Sequence, residues 1–93
     1  MFVGIVRIEL HFPGSGSLKD KRSVLRSLKE RIRQRVRASV AEVDHHDLWQ
    51  RGTLGVAVVS GECRQVAEML QSVRHLVEGA HGAELIDWQE QTQ

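Results

Sequence analysis

Glu42, Asp44, His45, His46 and Asp47 form the densest run of groups in the chain able to hold a metal ion or move a proton. Strand alternation puts Glu42 and Asp44 on one face. Two carboxylates and a histidine are a donor set for a divalent ion or an acid/base pair. No HExxH or comparable spacing accompanies them. The expectation is a hairpin stabilised by contact with Arg7 or Arg51, with no catalytic residue and no metal site. A small metal-dependent enzyme using Glu42, Asp44 and His45 is kept as an alternative. The run Gly14-Ser15-Gly16-Ser17-Leu18-Lys19 offers backbone N–H groups and a lysine to a helix start, where the dipole favours anions. It fails the Walker pattern and is read as a plain strand-to-helix turn. Cys63, the single cysteine, falls in the first turn of a predicted helix. The dipole there can lower a thiol pKa, but no histidine base shares that turn, so it is not read as a nucleophile.

Charge is the stronger signal. The chain has 13 Lys+Arg and 12 Asp+Glu, a net charge of +1. Residues 17–37 carry nine basic and two acidic residues (net +7), and residues 38–93 carry three basic and nine acidic (net −6). Taking residues from Leu18 as a helix at about 100° each, Lys19, Arg22, Arg26, Lys29, Arg33 and Arg37 share an arc of about 80°. The apolar Leu18, Leu25, Leu28, Ile32 and Val36 lie beside it. Six cations in such a row are a candidate track for a phosphate backbone, binding RNA in a salt-sensitive, sequence-tolerant way. Arginine outnumbers lysine four to two on the ridge, which suits bidentate phosphate contacts. The competing reading is a solvated face steadied by the acidic half of this molecule or of a neighbour. Lys21 falls inside the apolar arc at about −60°, where its ammonium must snorkel out or meet an acidic partner. An ion pair is expected.

The elements that must position these groups follow from period and punctuation. Phe2, Gly4, Val6, Ile8 and Leu10 alternate with Val3, Ile5, Arg7, Glu9 and His11, the period of a half-buried strand with the first set inward. Phe12-Pro13-Gly14-Ser15-Gly16 breaks it, and Ser17-Leu18-Lys19-Asp20 has the spacing of a capping box opening a helix that runs to about Arg37. Ala38 to Asp44 and Thr53 to Ser60 read as a hairpin with a long polar connection. Ser60 is the expected cap of a second helix with Val66, Met69, Leu70, Val73 and Val77 inward, and Glu78-Gly79 ends it. A last strand spans about Ala83 to Gln89. The order βαββαβ with right-handed crossovers gives an α+β, ferredoxin-like domain: a four-stranded antiparallel sheet with two helices on one face.

Composition agrees with one domain over residues 1–93. Apolar residues are 41% and charged residues 27%, the values of a folded globular chain. No apolar run approaches a membrane span and no basic stretch marks a signal peptide, so cytoplasmic location is expected. A lone cysteine forms no internal disulfide and no zinc pair, so no cofactor is assigned. Val3, Ile5, Arg7, Thr53, Gly55, Ala57 and Val59, on the helix-free face of the first and third strands, include no aromatic. Base stacking on the sheet is therefore disfavoured. The same small apolar residues suit contact between subunits, and a homodimer is expected. Trp49, in the hairpin connection, is expected to fold back on the sheet end.

Ser17-Leu18-Lys19-Asp20-Lys21-Arg22, Val40-Ala41-Glu42-Val43-Asp44-His45, Asp47-Leu48-Trp49-Gln50-Arg51 and Gly55-Val56-Ala57-Val58-Val59-Ser60 together resemble the bacterial YlxP-like family of small proteins. The similarity covers nearly the whole chain. It implies a ferredoxin-like domain of unassigned activity, often encoded beside transcription-termination, translation-initiation and ribosome-maturation factors. No catalytic residues carry over. The recurrent positions match Leu18, Lys19, Lys21, Arg22, Glu42, Asp44, Asp47, Trp49 and Arg51. The resulting expectation is a non-enzymatic accessory protein binding RNA or the ribosome through Lys19, Arg22, Arg26, Lys29, Arg33 and Arg37. Asp44, Asp47, Trp49 and Arg51 form a partner-contact loop in this reading, and no small-molecule substrate is identified. A homo-oligomeric interaction module is the other alternative.

Overall fold

In the computed structural model, which describes residues 1–93, strand β1 (Phe2–His11) buries Gly4, Val6, Ile8 and Leu10, as the alternation requires. The inward phase continues one position beyond the strand. Phe12, read as the first turn residue, is fully buried, because even-numbered positions still face the core and its N–H carries the cross-strand bonding one step further, to Gln50 O. Helix α1 (Leu18–Val36) follows, then β2 (Ser39–Asp44), β3 (Arg51–Ser60), α2 (Cys63–Glu78) and β4 (Glu84–Thr92). The sheet order is β2-β3-β1-β4 with every neighbouring pair antiparallel. The inward residues of β1 and β3 and the apolar stripes of both helices, with Phe12, Val40 and Ala83, form one core of 17 residues. This is the ferredoxin-like arrangement expected from the sequence.

The capping box at α1 closes with a one-residue offset. Ser17 Oγ accepts from the Asp20 N–H at 3.1 Å, and the Asp20 carboxylate accepts from Gly16 N–H at 3.0 Å. The Asp20 carboxylate thus takes the Gly16 N–H, and the Ser17 hydroxyl takes the Asp20 N–H, two donors a phosphate cradle would have used, in keeping with a plain strand-to-helix turn. Leu25, Leu28, Ile32 and Val36 are buried. Each contributes roughly 1.5–3 kcal/mol by burial, against a few tenths lost per like-charge pair on the basic flank, so the apolar stripe decides that the helix forms. The helix stops before Arg37, which takes a left-handed conformation (φ 55°) and donates its N–H to Arg33 O.

Other boundaries differ from the sequence reading, and β3 begins at Arg51, two residues before the expected Thr53. Ser60 ends β3, and its Oγ accepts from Glu62 N–H. Glu62 is the N-cap of α2, with no side-chain cap. β4 runs to Thr92 because Gln89, Glu90, Gln91 and Thr92 pair along β1, which supplies the order their polar side chains do not. α2 lies close to β1 at Gly4. A Cβ there would be 2.5 Å from Val66 Cγ1, so glycine is what lets the helix approach. Arg74 of α2 sits over the Trp88 ring at 5.2 Å and closes the β4 side. No helix is long and apolar enough to cross a membrane.

Candidate nucleic-acid interface

The flank of α1 beside the apolar stripe runs along β2, an edge strand of the sheet. Lys19, Arg22 and Arg26 are exposed there, and Lys29 is half-buried. Arg33 is exposed and donates from Nη2 to the Val40 carbonyl of β2 at 2.8 Å. This bond fixes the guanidinium beside the sheet edge and leaves its other N–H groups free. None of the five forms an ion pair within the chain; the bridges of this molecule use Arg7, Lys21, Arg51, Arg64, Arg74, His11 and His45. The acidic half of the same molecule therefore does not steady the ridge. Arg37 departs from the expected row. At the left-handed helix end its wheel angle no longer applies, and it borders a surface hollow with Gln65, Glu68 and Met69 of α2. The ridge is thus Lys19 to Arg33, about 21 Å of helix at 1.5 Å per residue.

Lys21 ties this helix to the β2–β3 connection. Its side chain is fully buried, and Nζ donates to the carbonyls of His45 (2.8 Å), Arg51 (3.1 Å) and His46 (3.4 Å). Glu42 Oε2 lies 3.1 Å away, off the hydrogen-bonding directions, and supplies the counter-charge. The expected ion pair is present, and the ammonium does not snorkel. Phe12 N–H donates to Gln50 O at 2.9 Å and the Gln50 amide donates to Ser15 O at 3.2 Å, so the loop is held both from α1 and from the turn after β1. On this fixed loop Asp47 is exposed and Trp49 is 55% exposed. The indole does not fold back on the sheet end as expected. The loop backbone is anchored to α1 and to the turn after β1, and this holds the ring outward.

The anticipated carboxylate pair does not form. A β-bulge between Glu42 and Asp44 puts both Val43 and Asp44 on the helix-free face, while Glu42 points to the helix side and Lys21. Strict alternation fails there because a bulge inserts an extra residue opposite one partner residue. Asp44 instead accepts from Arg7 Nη2 at 2.9 Å and from the His45 N–H at 2.8 Å. The His45 amide bond, then the Arg7 guanidinium, and the nearby His45 ring hold the Asp44 carboxyl below its ordinary value of 3.8. The contact with Arg7 is the one expected. Arg51 approaches Glu9 at 3.8 Å on the same face, so Asp44 and Arg51 belong to a sheet-face network and only Asp47 and Trp49 remain free on the loop.

A family model described as "Protein of unknown function (DUF503)" matches residues 3–90. The chain belongs to the DUF503 family. It is 35% identical over 71 residues to the uncharacterized protein YlxP of Bacillus subtilis (strain 168), 76% of this chain and 77% of YlxP, which bears out the resemblance drawn from the motifs. Among solved structures it is similar to the de novo designed protein Ferredog-Diesel. That likeness has a TM-score of 0.51 and 11% identity over 96% of this chain and 83% of the other, and it speaks for the fold alone.

The DUF503 domain also holds a network centre that reading the sequence missed. Glu9 accepts from Thr53 Oγ1 at 2.7 Å and from Arg7 Nε at 3.1 Å, with His45 and Arg51 each 3.8 Å away. A lone carboxylate on the outward phase of a strand reads as a solvated side chain. The available signal was the cross-strand pairing of Glu9 with Thr53, which needs the β1–β3 register. Every group in this cluster is answered by another member, so it fixes the hairpin on the sheet.

Proposed function

We propose that this DUF503 protein is a non-enzymatic cytoplasmic accessory protein that binds structured RNA, with ribosomal RNA the first candidate, through the α1 ridge. The observation that carries the reading is that Lys19, Arg22, Arg26, Lys29 and Arg33 have no acidic partner within the chain. Like charges at i+3 and i+4 spacing destabilise a helix, and an external polyanion offsets that cost while releasing its own counterions. The row lies on one rigid helix, so successive side chains meet successive phosphates with little loss of order on binding. Trp49, outward on an anchored loop adjoining the start of α1, supplies a stacking surface for an unpaired base next to the backbone track. Asp47 beside it disfavours phosphate at that point and directs the backbone towards the ridge.

The test is fluorescence anisotropy of labelled ribosomal RNA fragments titrated with the protein and with Arg22→Glu plus Arg26→Glu, two side chains without an internal partner. Micromolar or tighter binding that the double variant weakens at least tenfold is the expected result. Absent binding, or binding indifferent to the charge reversal, overturns the proposal.

A further inference from the structure

The helix-free face of the sheet leaves an apolar side chain of every strand exposed. Ile5 of β1, Val43 of β2, Val59 of β3 and Ile86 of β4 are 41%, 47%, 57% and 50% exposed, one from each strand. Between them Ala41, Gly55 and Ala57 leave a shallow concavity of about 550 Å³. Gly55 is required beneath it, because a Cβ there would be 2.9 Å from Val43 Cγ1. Arg7 and Glu90 also line the concavity; Arg7 lies opposite Gly55, and its guanidinium is held by Glu9 and Asp44. Glu9, Asp44 and Arg51 gather towards the hairpin-loop end, paired with Arg7 or with one another.

We infer that this face is the interface of a homodimer, two copies packing sheet against sheet. Three features select a second copy. The first is area: four strands about 4.8 Å apart and roughly nine residues long at about 3.3 Å each give roughly 600 Å² per copy. The total of about 1,200 Å² reaches the lower end of stable interfaces. The second is shape. Protruding aliphatic side chains and a hollow lined by small residues occur on the same face, so a two-fold operation can seat one in the other, as an isologous contact requires. The third is charge: Arg7 and Arg51 stand beside Glu9 and Asp44, both signs together, so two copies meet without a repelling field. A sheet face built mainly of Val, Ile, Ala and Gly, bordered by Gln89 and Gln91, suits another sheet about 10 Å away, and without an aromatic it offers nothing on which a nucleic-acid base would stack. Both helices lie on the far side, so the dimer leaves both α1 ridges free and the inference stands apart from the RNA reading.

The experiment is sedimentation equilibrium of the full chain from about 1 to 300 μM, a range that spans weak and strong association. It compares the wild type with Ile5→Lys and Val59→Lys, each placing a charge at an exposed position that the monomer already leaves in water. Far-UV circular dichroism confirms that each variant is folded. The expected result is a wild-type dimer with a dissociation constant in the low micromolar range or below, raised at least thirtyfold in each folded variant. A wild-type chain that stays monomeric to the top of the range overturns the inference, and so does a dimer unmoved by either variant. If one variant fails to fold, the other decides.

Discussion

Lys21→Met is the sharpest test of how α1 and the β2–β3 connection are joined. Methionine keeps an unbranched apolar stem of similar length and removes the ammonium that binds His45 O, Arg51 O and His46 O and faces Glu42. The substitution leaves a carboxylate without its cation at a site where the lysine was fully buried, and it orphans backbone acceptors held at 2.8 and 3.1 Å. Removing one partner of a buried pair costs about 3–5 kcal/mol, a large share of the roughly 5–15 kcal/mol that holds a domain together. At about 4–8 °C per kcal/mol in a chain of this size, Tm should fall by roughly 12–40 °C. Urea unfolding followed by circular dichroism should show a lower midpoint with an unchanged slope. Adding Glu42→Leu to Lys21→Met should recover part of the loss, giving a coupling of about 1–3 kcal/mol in a double-mutant cycle. A loss below about 1 kcal/mol, or strict additivity, would show that the ammonium is hydrated and that the loop is held some other way.

Asp44 ionises more readily in the folded chain than its ordinary value of 3.8, so its contribution to stability is complete above that value and lost as pH falls through the lower folded value. Asp44→Asn should therefore lower Tm at pH 6 and match the wild type near pH 2; an equal gap at both values in thermal melts would refute the assignment. Gly4→Ala drives a methyl into Val66 and should cost about 1–3 kcal/mol in urea unfolding, whereas a neutral result would mean that α2 is not seated against β1 as described. Trp49→Ala should leave Tm unchanged and weaken RNA containing an unpaired base by about tenfold, the worth of one stacked base, with a smaller effect on a perfect duplex. Equal losses on the two RNAs would remove the stacking role.

The periods of the sequence determine most of this fold. The even phase of β1 and the 3.6-residue stripes of both helices name most of the core, and the wheel angle of Lys21 leaves snorkelling or an ion pair, of which the structure takes the second. Departures occur where local geometry leaves the ideal period. The bulge at Val43 separates Glu42 from Asp44, and no residue type in β2 announces it. Arg37 leaves the ridge because it takes the left-handed conformation that ends the helix. Trp49 stays outward because of hydrogen bonds between Lys21 and carbonyls 24 to 30 residues away, which no local reading supplies. Glu9 becomes a centre only once β3 and the hairpin loop are laid beside β1. The basic ridge was legible as a charge pattern. Its freedom from internal partners was not, since that depends on where the acidic half folds.

The central claim is that the α1 ridge meets a phosphate backbone, and the salt dependence of RNA affinity tests it most directly. Five cations engaging about five phosphates give a slope of log K against log salt near −4, at about −0.7 to −0.9 per contact. Arg22→Glu plus Arg26→Glu should flatten that slope by about 2 at unchanged Tm. A slope near zero, or one that the two substitutions leave unaltered, would contradict the account.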